Sequence, residues 1–113
     1  MGTLNRYADL IKGVLHHYVE LDDASGENDV ETHTIFDDEN GRYMLFRVGW
    51  WRKERVHSPL VYVHLRHDKI WIEEDWTEEG ITPMLLAEGI PHEAIVLGFR
   101  HPSLRPLTEF AVA

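Results

Sequence analysis

Apolar residues recur every three or four positions over the first twenty residues, a spacing that places them on one face of an α-helix. This face includes Leu4, Ile11, Leu15 and Val19. Thr3 is a hydroxyl residue suited to cap the start of the helix. The helix is expected to end in a turn formed by Asp22, Asp23, Ser25 and Gly26.

From residue 30 the hydropathy period changes to two, which indicates β-strands. Residues 30–36 and 42–51 flank Asn40-Gly41, a pair that favours a tight hairpin turn. Large apolar groups lie on both faces of the second of these strands. Two further strands are predicted over about residues 55–66 and over residues 69–75. Four strands joined by short turns predict a four-stranded antiparallel meander sheet.

Downstream of the strands the pattern becomes helical again. Thr77 is expected to cap a second helix, with Glu78 and Glu79 in its first turn, and Gly89 is expected to end it. The short apolar piece 94–99 leads into an extended C-terminal tail with two prolines. We therefore predict an α+β fold forming a single domain over residues 1–113, with an N-terminal helix, the meander, a second helix and the tail.

Charge and composition narrow the function classes. The chain has 20 acidic against 11 basic residues, a net charge of −9, which opposes non-specific binding to DNA phosphates. It has no cysteine, so disulfides, thiolate metal sites and a cysteine nucleophile are excluded. Without an apolar run that could span a bilayer or serve as a signal peptide, a cytoplasmic protein is expected.

Two clusters of titratable residues are candidates for metal chemistry. Five carboxylates lie within seven residues, and such oxygens suit Mg²⁺, although a strand end and a solvated helix start would have the same composition. The cluster comprises Glu73, Glu74, Asp75, Glu78 and Glu79. His64 and His67 are close in sequence, but on one strand they point to opposite faces. No catalytic serine elbow or phosphate-binding loop is present, and no catalytic, cofactor or metal residue is assigned.

The four tryptophans offer a different kind of site. Trp50 and Trp51 are consecutive, so a regular strand would place one on each face of the sheet. Two functions fit such residues: they can pack in the core and at a contact between subunits, or they can stack on nucleic-acid bases beside basic side chains. Since apolar residues lie on both sheet faces and the helices are modest, self-association into a homo-oligomer is expected.

Three segments of the chain resemble the XisI family, the fdxN element excision controlling factors of filamentous cyanobacteria. They are VGW at 48–50, KIWIEEDWTEEGI at 69–81 and GIPHEAIVLGFRHP at 89–102, and the ending FAVA adds to the likeness. The sequence departs from the family pattern at Trp76, at Thr82-Pro83 and at His92. The resemblance implies a non-enzymatic accessory protein that acts with a XisH-like, nuclease-fold partner in programmed DNA excision, a site-specific recombination performed by a separate recombinase.

Three hypotheses of function follow. In the leading one, the acidic domain binds a basic XisH-like partner and affects DNA only indirectly. The contact residues in that hypothesis are Trp50, Trp51, Asp75, Trp76, Glu78 and Glu79. The second is direct DNA binding as a directionality factor through Arg42, Arg47, Arg52, Lys53, Arg55 and Arg66. The third is a metal-dependent enzyme built on the acidic cluster or on His64.

Overall fold

The computed structural model describes residues 3–25 and 29–113, with side chains for 6–21 and 29–113. The helices are α1 (Thr3–Ser25) and α2 (Thr82–Ala87), and short 3₁₀ segments cover His92–Ala94 and Pro102–Leu107. The strands are β1 (Asp29–Asp37), β2 (Arg42–Trp51), β3 (Glu54–Arg66), β4 (Lys69–Asp75) and β5 (Ile95–Leu97). Within the described residues, no helix is long and apolar enough to cross a membrane.

The strands form one five-stranded mixed sheet in the order β1-β2-β3-β4-β5. The first four are antiparallel neighbours, as the sequence predicts. The prediction of four strands is wrong, because β5 adds a fifth strand parallel to β4, with Ile70 paired to Ile95. A parallel neighbour requires a crossover, which is formed here by the segment containing α2. A three-residue apolar strand carries no periodicity that would have identified it.

Helix α1 covers one face of the sheet and forms the core with it. Ile11 and Leu15 on the helix are fully buried, as are Leu45 and Val63 on the strands. These strand residues belong to one alternating set of each strand, and it is this set that faces the helix. The sequence pattern separates the two sets of β2 but, with large apolar residues in both, does not say which one is buried. Helix α2, through the buried Leu85, completes this layer.

The ends of α1 differ from the sequence expectation. The helix includes Asp22 and Asp23 and ends at Ser25, so the predicted turn over these residues is wrong. A helix that has already formed is extended by one hydrogen bond per added residue. Asp and Ser lower helix stability only slightly at each position, so the helix continues through them. Gly26 and the side chain of Thr3 lie outside the described residues.

Helix α2 is much shorter than predicted. It begins at Thr82 rather than after a cap at Thr77, and Pro83 occupies its first turn, where a missing N–H costs nothing. Residues 77–79 form bends instead. The prediction that Gly89 ends the helical segment is confirmed: the helix ends at Ala87, and Gly89 adopts a left-handed φ of 92° just after it.

The C-terminal tail is laid over the domain, but it is not simply extended. It contains the 3₁₀ segment Pro102–Leu107, and Ala111 then forms a parallel bridge with Val96 of β5. Arg105 fixes the tail by donating from Nε to the Arg100 carbonyl, and from Nη1 and Nη2 to the carbonyls of Val112 and Gly98. Its guanidinium also lies 5.3 Å from the ring centre of the buried Trp71.

Candidate protein-binding surface

The loop after β4 is shaped by Asp75. Its Oδ1 accepts hydrogen bonds from the backbone N–H and the hydroxyl of Thr77, and its Oδ2 accepts from the Ile81 N–H at 2.8 Å. This carboxylate therefore closes residues 75–81 into a compact turn ahead of α2. Asp75, one of the predicted contact residues, is engaged inside the loop and positions its neighbours.

Those neighbours project outward. Trp76 is 72% exposed, the largest exposed fraction among the tryptophans, and its indole N–H donates to Glu74 Oε2 at 2.7 Å. Glu78 and Glu79 are exposed on the same loop. A large aromatic side chain with acids beside it is typical of a protein contact surface more than of a core.

Trp50 and Trp51 lie at the end of β2, next to the β2–β3 turn, and are 51% and 48% exposed. As predicted from the strand alternation, they point to opposite faces of the sheet. Arg55 stacks over Trp50 at 5.2 Å, and Arg52 stacks over Trp51 at 4.5 Å. Only Trp51 lies on the face that carries α1 and the 75–81 loop.

Arg47 connects Trp51 with Trp76. It lines a depression of about 320 Å³ with Trp76 and Glu74, and a second depression of about 280 Å³ with Trp51 and Glu54. We call this pair of depressions the Arg47 groove. Its other lining residues are Val30, Val56, Ser58, Pro59 and Leu60.

The Nε of Arg47 is buried and makes no hydrogen bond to any described residue. A buried donor without an acceptor is costly, so a partner that supplies an oxygen there would gain from it. Among the functions predicted from the sequence, Arg47 belongs only to the DNA-binding hypothesis. The signal that this hypothesis missed is alternation: Tyr43 and Leu45 are buried on the α1 side, and Arg47 is a charged residue at the next position of that series.

A larger depression lies elsewhere, between α1 and the β1–β2 turn, with a volume of about 590 Å³. Lys12 Nζ lies 3.0 Å from Asp38 Oδ1, and the Tyr43 hydroxyl donates to the same oxygen at 2.8 Å. Burial, together with the hydrogen bond to Asp38, raises the pKa of Tyr43 to about 12. The hydrogen bond from Lys12 lowers the pKa of Asp38. These groups satisfy one another, and their contacts attach the hairpin to the helix.

The acidic cluster does not form a metal cage. Among the residues whose positions are described, no three His, Asp or Glu side chains are arranged to hold a metal ion. Glu74 pairs with Trp76, Asp75 closes its loop, and Glu73 lies against Gly98. Burial, and then the nearby Arg42 and Arg66, lowers the pKa of His64.

The six basic residues of the DNA-binding hypothesis do not form one patch. Arg52, Lys53 and Arg55 are at the β2–β3 turn, while Arg42 and Arg66 are at the opposite ends of those strands. Arg66 stacks on Trp71 at 3.9 Å. Arg47 lies on the α1 side within its groove. Phosphate binding along a duplex would require these charges on one continuous surface.

These features define a class: a small α+β domain in which exposed tryptophans, acids and an incompletely satisfied arginine form a surface suited to protein binding. The chain belongs to the XisI protein family, whose sequence pattern matches residues 1–112. Comparison with curated proteins found no match.

Two solved structures from Anabaena variabilis ATCC 29413 are similar over almost the whole chain. The fdxN element excision controlling factor XisI is 38% identical with a TM-score of 0.84, and the match covers 98% of this chain and 99% of that one. A XisI-like protein is 32% identical with a TM-score of 0.87, covering 97% of this chain and 99% of the other.

Proposed function

We propose that this chain is a non-enzymatic accessory protein that takes part in the control of fdxN-type element excision by binding a XisH-like protein partner. Family membership and the likeness to an fdxN element excision controlling factor support the process. The Arg47 groove, flanked by Trp51 and Trp76, is the observation that carries the binding surface.

The groove and the 75–81 loop make different contributions to binding. Trp51 and Trp76 are aromatic anchors, since large rings buried at a contact contribute most of its free energy. The N–H at Arg47 Nε donates a hydrogen bond to an oxygen atom of the partner. Glu78 and Glu79 add negative charge that accelerates encounter with a basic partner. Asp75 acts indirectly by holding the loop in shape.

The test is co-expression of the tagged chain with a XisH-like protein, followed by measurement of the affinity of the complex at low and moderate salt. Trp76→Ala is expected to weaken the complex by about 2 kcal/mol, roughly thirtyfold, because an anchor is removed. The matched control is Leu107→Ala, which removes an apolar side chain that is 82% exposed on the tail. Equal affinities for the two variants would contradict the proposed surface.

The charge contribution needs a separate pair of variants. Glu78→Gln/Glu79→Gln is expected to weaken binding about tenfold at low salt and to flatten its salt dependence. Glu88→Gln/Glu93→Gln changes the net charge equally at exposed positions elsewhere and should have a smaller effect. If no mixed complex forms at low salt, partner control is wrong. A shift of duplex DNA by the chain alone under those conditions would favour the direct DNA-binding alternative.

A further inference from the structure

The sheet face opposite α1 carries an ordered arrangement of side chains. Along β2, every second residue points to this face, and after Arg42 the series is apolar: Met44, Phe46, Val48 and Trp50. The first three are only partly buried and Trp50 is half exposed. On the next strand, Ile35 projects to the same face and is 51% exposed. An apolar column of this length in contact with water favours association.

Near the β2–β3 turn, charged residues of opposite sign flank the apolar column on its two sides. Cross-strand pairing aligns Asp29 with Trp50 and Trp50 with Arg55, giving one row of acid, apolar residue and base. The next row on this face has the same order, with Glu31, Val48 and His57. Three further rows follow on this face: His33, Phe46 and Pro59; Ile35, Met44 and Tyr62; and, at the far end, Asp37, Arg42 and His64. In the two rows nearest the β2–β3 turn, the acid is thus on β1 and the basic group is on β3.

We propose that this face binds the same face of a second copy of the chain, with the two-fold axis running along β2. Rotation about that axis places the apolar column of β2 against itself and exchanges the β1 column with the β3 column. Asp29 of each copy then lies opposite Arg55 of the other, and Glu31 lies opposite His57. Two sheets packed in this way keep their strands within roughly 30° of one another at about 10 Å separation.

Charge selects a second copy over another occupant. At the rows of Trp50 and Val48, a partner of one sign would meet repulsion from one of the two flanking strands, whereas a two-fold copy meets opposite charge on both. The dimer contact is self-complementary because the acid and the basic residue lie in the same row, on either side of the apolar residue of β2. The proposal does not depend on the XisH-like partner or on the side chains of Arg47 and Trp51, which lie on the other face.

The first test is the mass of the full chain in solution, by size-exclusion chromatography with light scattering. The wild type is expected at twice the 13.2 kDa chain mass. Phe46→Glu, which puts a charge in the apolar column, should give a monomer with an unchanged circular dichroism spectrum. Leu107→Glu is the matched control on the tail and should remain a dimer. A monomeric wild type at about 100 μM and low salt would overturn the proposal.

Charge reversal at exposed positions gives a test that does not risk the core. Asp29→Arg creates two Arg–Arg contacts across the axis and Arg55→Glu creates two Asp–Glu contacts, so each variant alone should dimerise at least tenfold more weakly. Mixed in equal amounts, they should recover a dimer, because both contacts of the mixed pair then join opposite charges. Dimerisation that is unaffected by either change, or that is not recovered on mixing, would rule out this axis.

Discussion

Arg105 is expected to stabilise the whole C-terminal tail. Its guanidinium donates to three backbone carbonyls, those of Arg100, Val112 and Gly98, at 3.1, 3.3 and 3.4 Å. It also stacks over Trp71, whose side chain is only 5% exposed. Replacing Arg105 with alanine removes all of these contacts and the cover over one side of the indole.

The size of the effect follows from the geometry. Each hydrogen bond of this kind contributes about 0.5–1.5 kcal/mol, and the lower part of that range applies because the bonds to Val112 and Gly98 are long and those to Arg100 and Val112 are exposed. A cation–π contact adds about 0.5–1 kcal/mol. We therefore expect Arg105→Ala to lower the free energy of unfolding by about 2–3 kcal/mol, with Arg105→Lys intermediate because an ammonium cannot reach three acceptors at once.

The assay is urea unfolding followed by tryptophan fluorescence, with the midpoint and slope fitted to a two-state transition. Arg100→Ala is the control: it removes an exposed arginine of the same tail that stacks on Phe99 at 5.5 Å, and should cost under about 0.5 kcal/mol. An Arg105→Ala protein as stable as Arg100→Ala would refute the assignment of Arg105 as the residue that fixes the tail.

Two further predictions concern the stability of the fold, first at a glycine of the sheet and then as a function of pH. Gly49→Ala should destabilise the fold by about 2 kcal/mol or more, because Gly49 has a φ of 153° and an added Cβ would overlap the Asp29 carbonyl; Gly13→Ala, in open space on α1, should be neutral or stabilising in thermal melts. Since the folded pKa of Tyr43 is raised to about 12, its contribution is complete below pH 10 and lost between pH 10 and 12. Tyr43→Phe should reduce this loss in alkaline unfolding titrations, and an unchanged slope would contradict the role of the buried phenol.

The period-two pattern was sufficient for most of the sheet because each antiparallel strand buries one face. Alternation along β2 separated its residues into the two sets that lie on opposite faces of the sheet, and Asn40-Gly41 identified the turn, where Gly41 takes a φ of 67°. Strand β5 could not be predicted in the same way. Its pairing with β4 depends on where the chain returns after α2, a tertiary property that three apolar residues do not encode.

The candidate surface was predictable only in part, for a related reason. Exposed tryptophans could be proposed from sequence because consecutive Trp50 and Trp51 cannot both be covered by one helix. The hydrogen bonds that Asp75 makes within its own loop could not be predicted from sequence. Acidic residues near Thr77 are equally consistent with the start of a helix, where the helix dipole favours negative charge. Arg47 was missed because its importance comes from the groove between two distant segments, which no local pattern describes.

The two proposals together assign different partners to the two faces of one strand. Odd-numbered residues of β2 face α1 and then, at Arg47 and Trp51, form the groove; even-numbered residues face the second copy. A dimer closed on the even-numbered face leaves the Arg47 and Trp51 side chains of both copies on its outer surfaces. Each groove can then bind a partner without disturbing the dimer, so the mixed complex should contain two copies of each chain. Variants of Phe46 should reduce this to one of each without lowering the affinity of a single groove, whereas variants of Trp76 should leave the dimer intact.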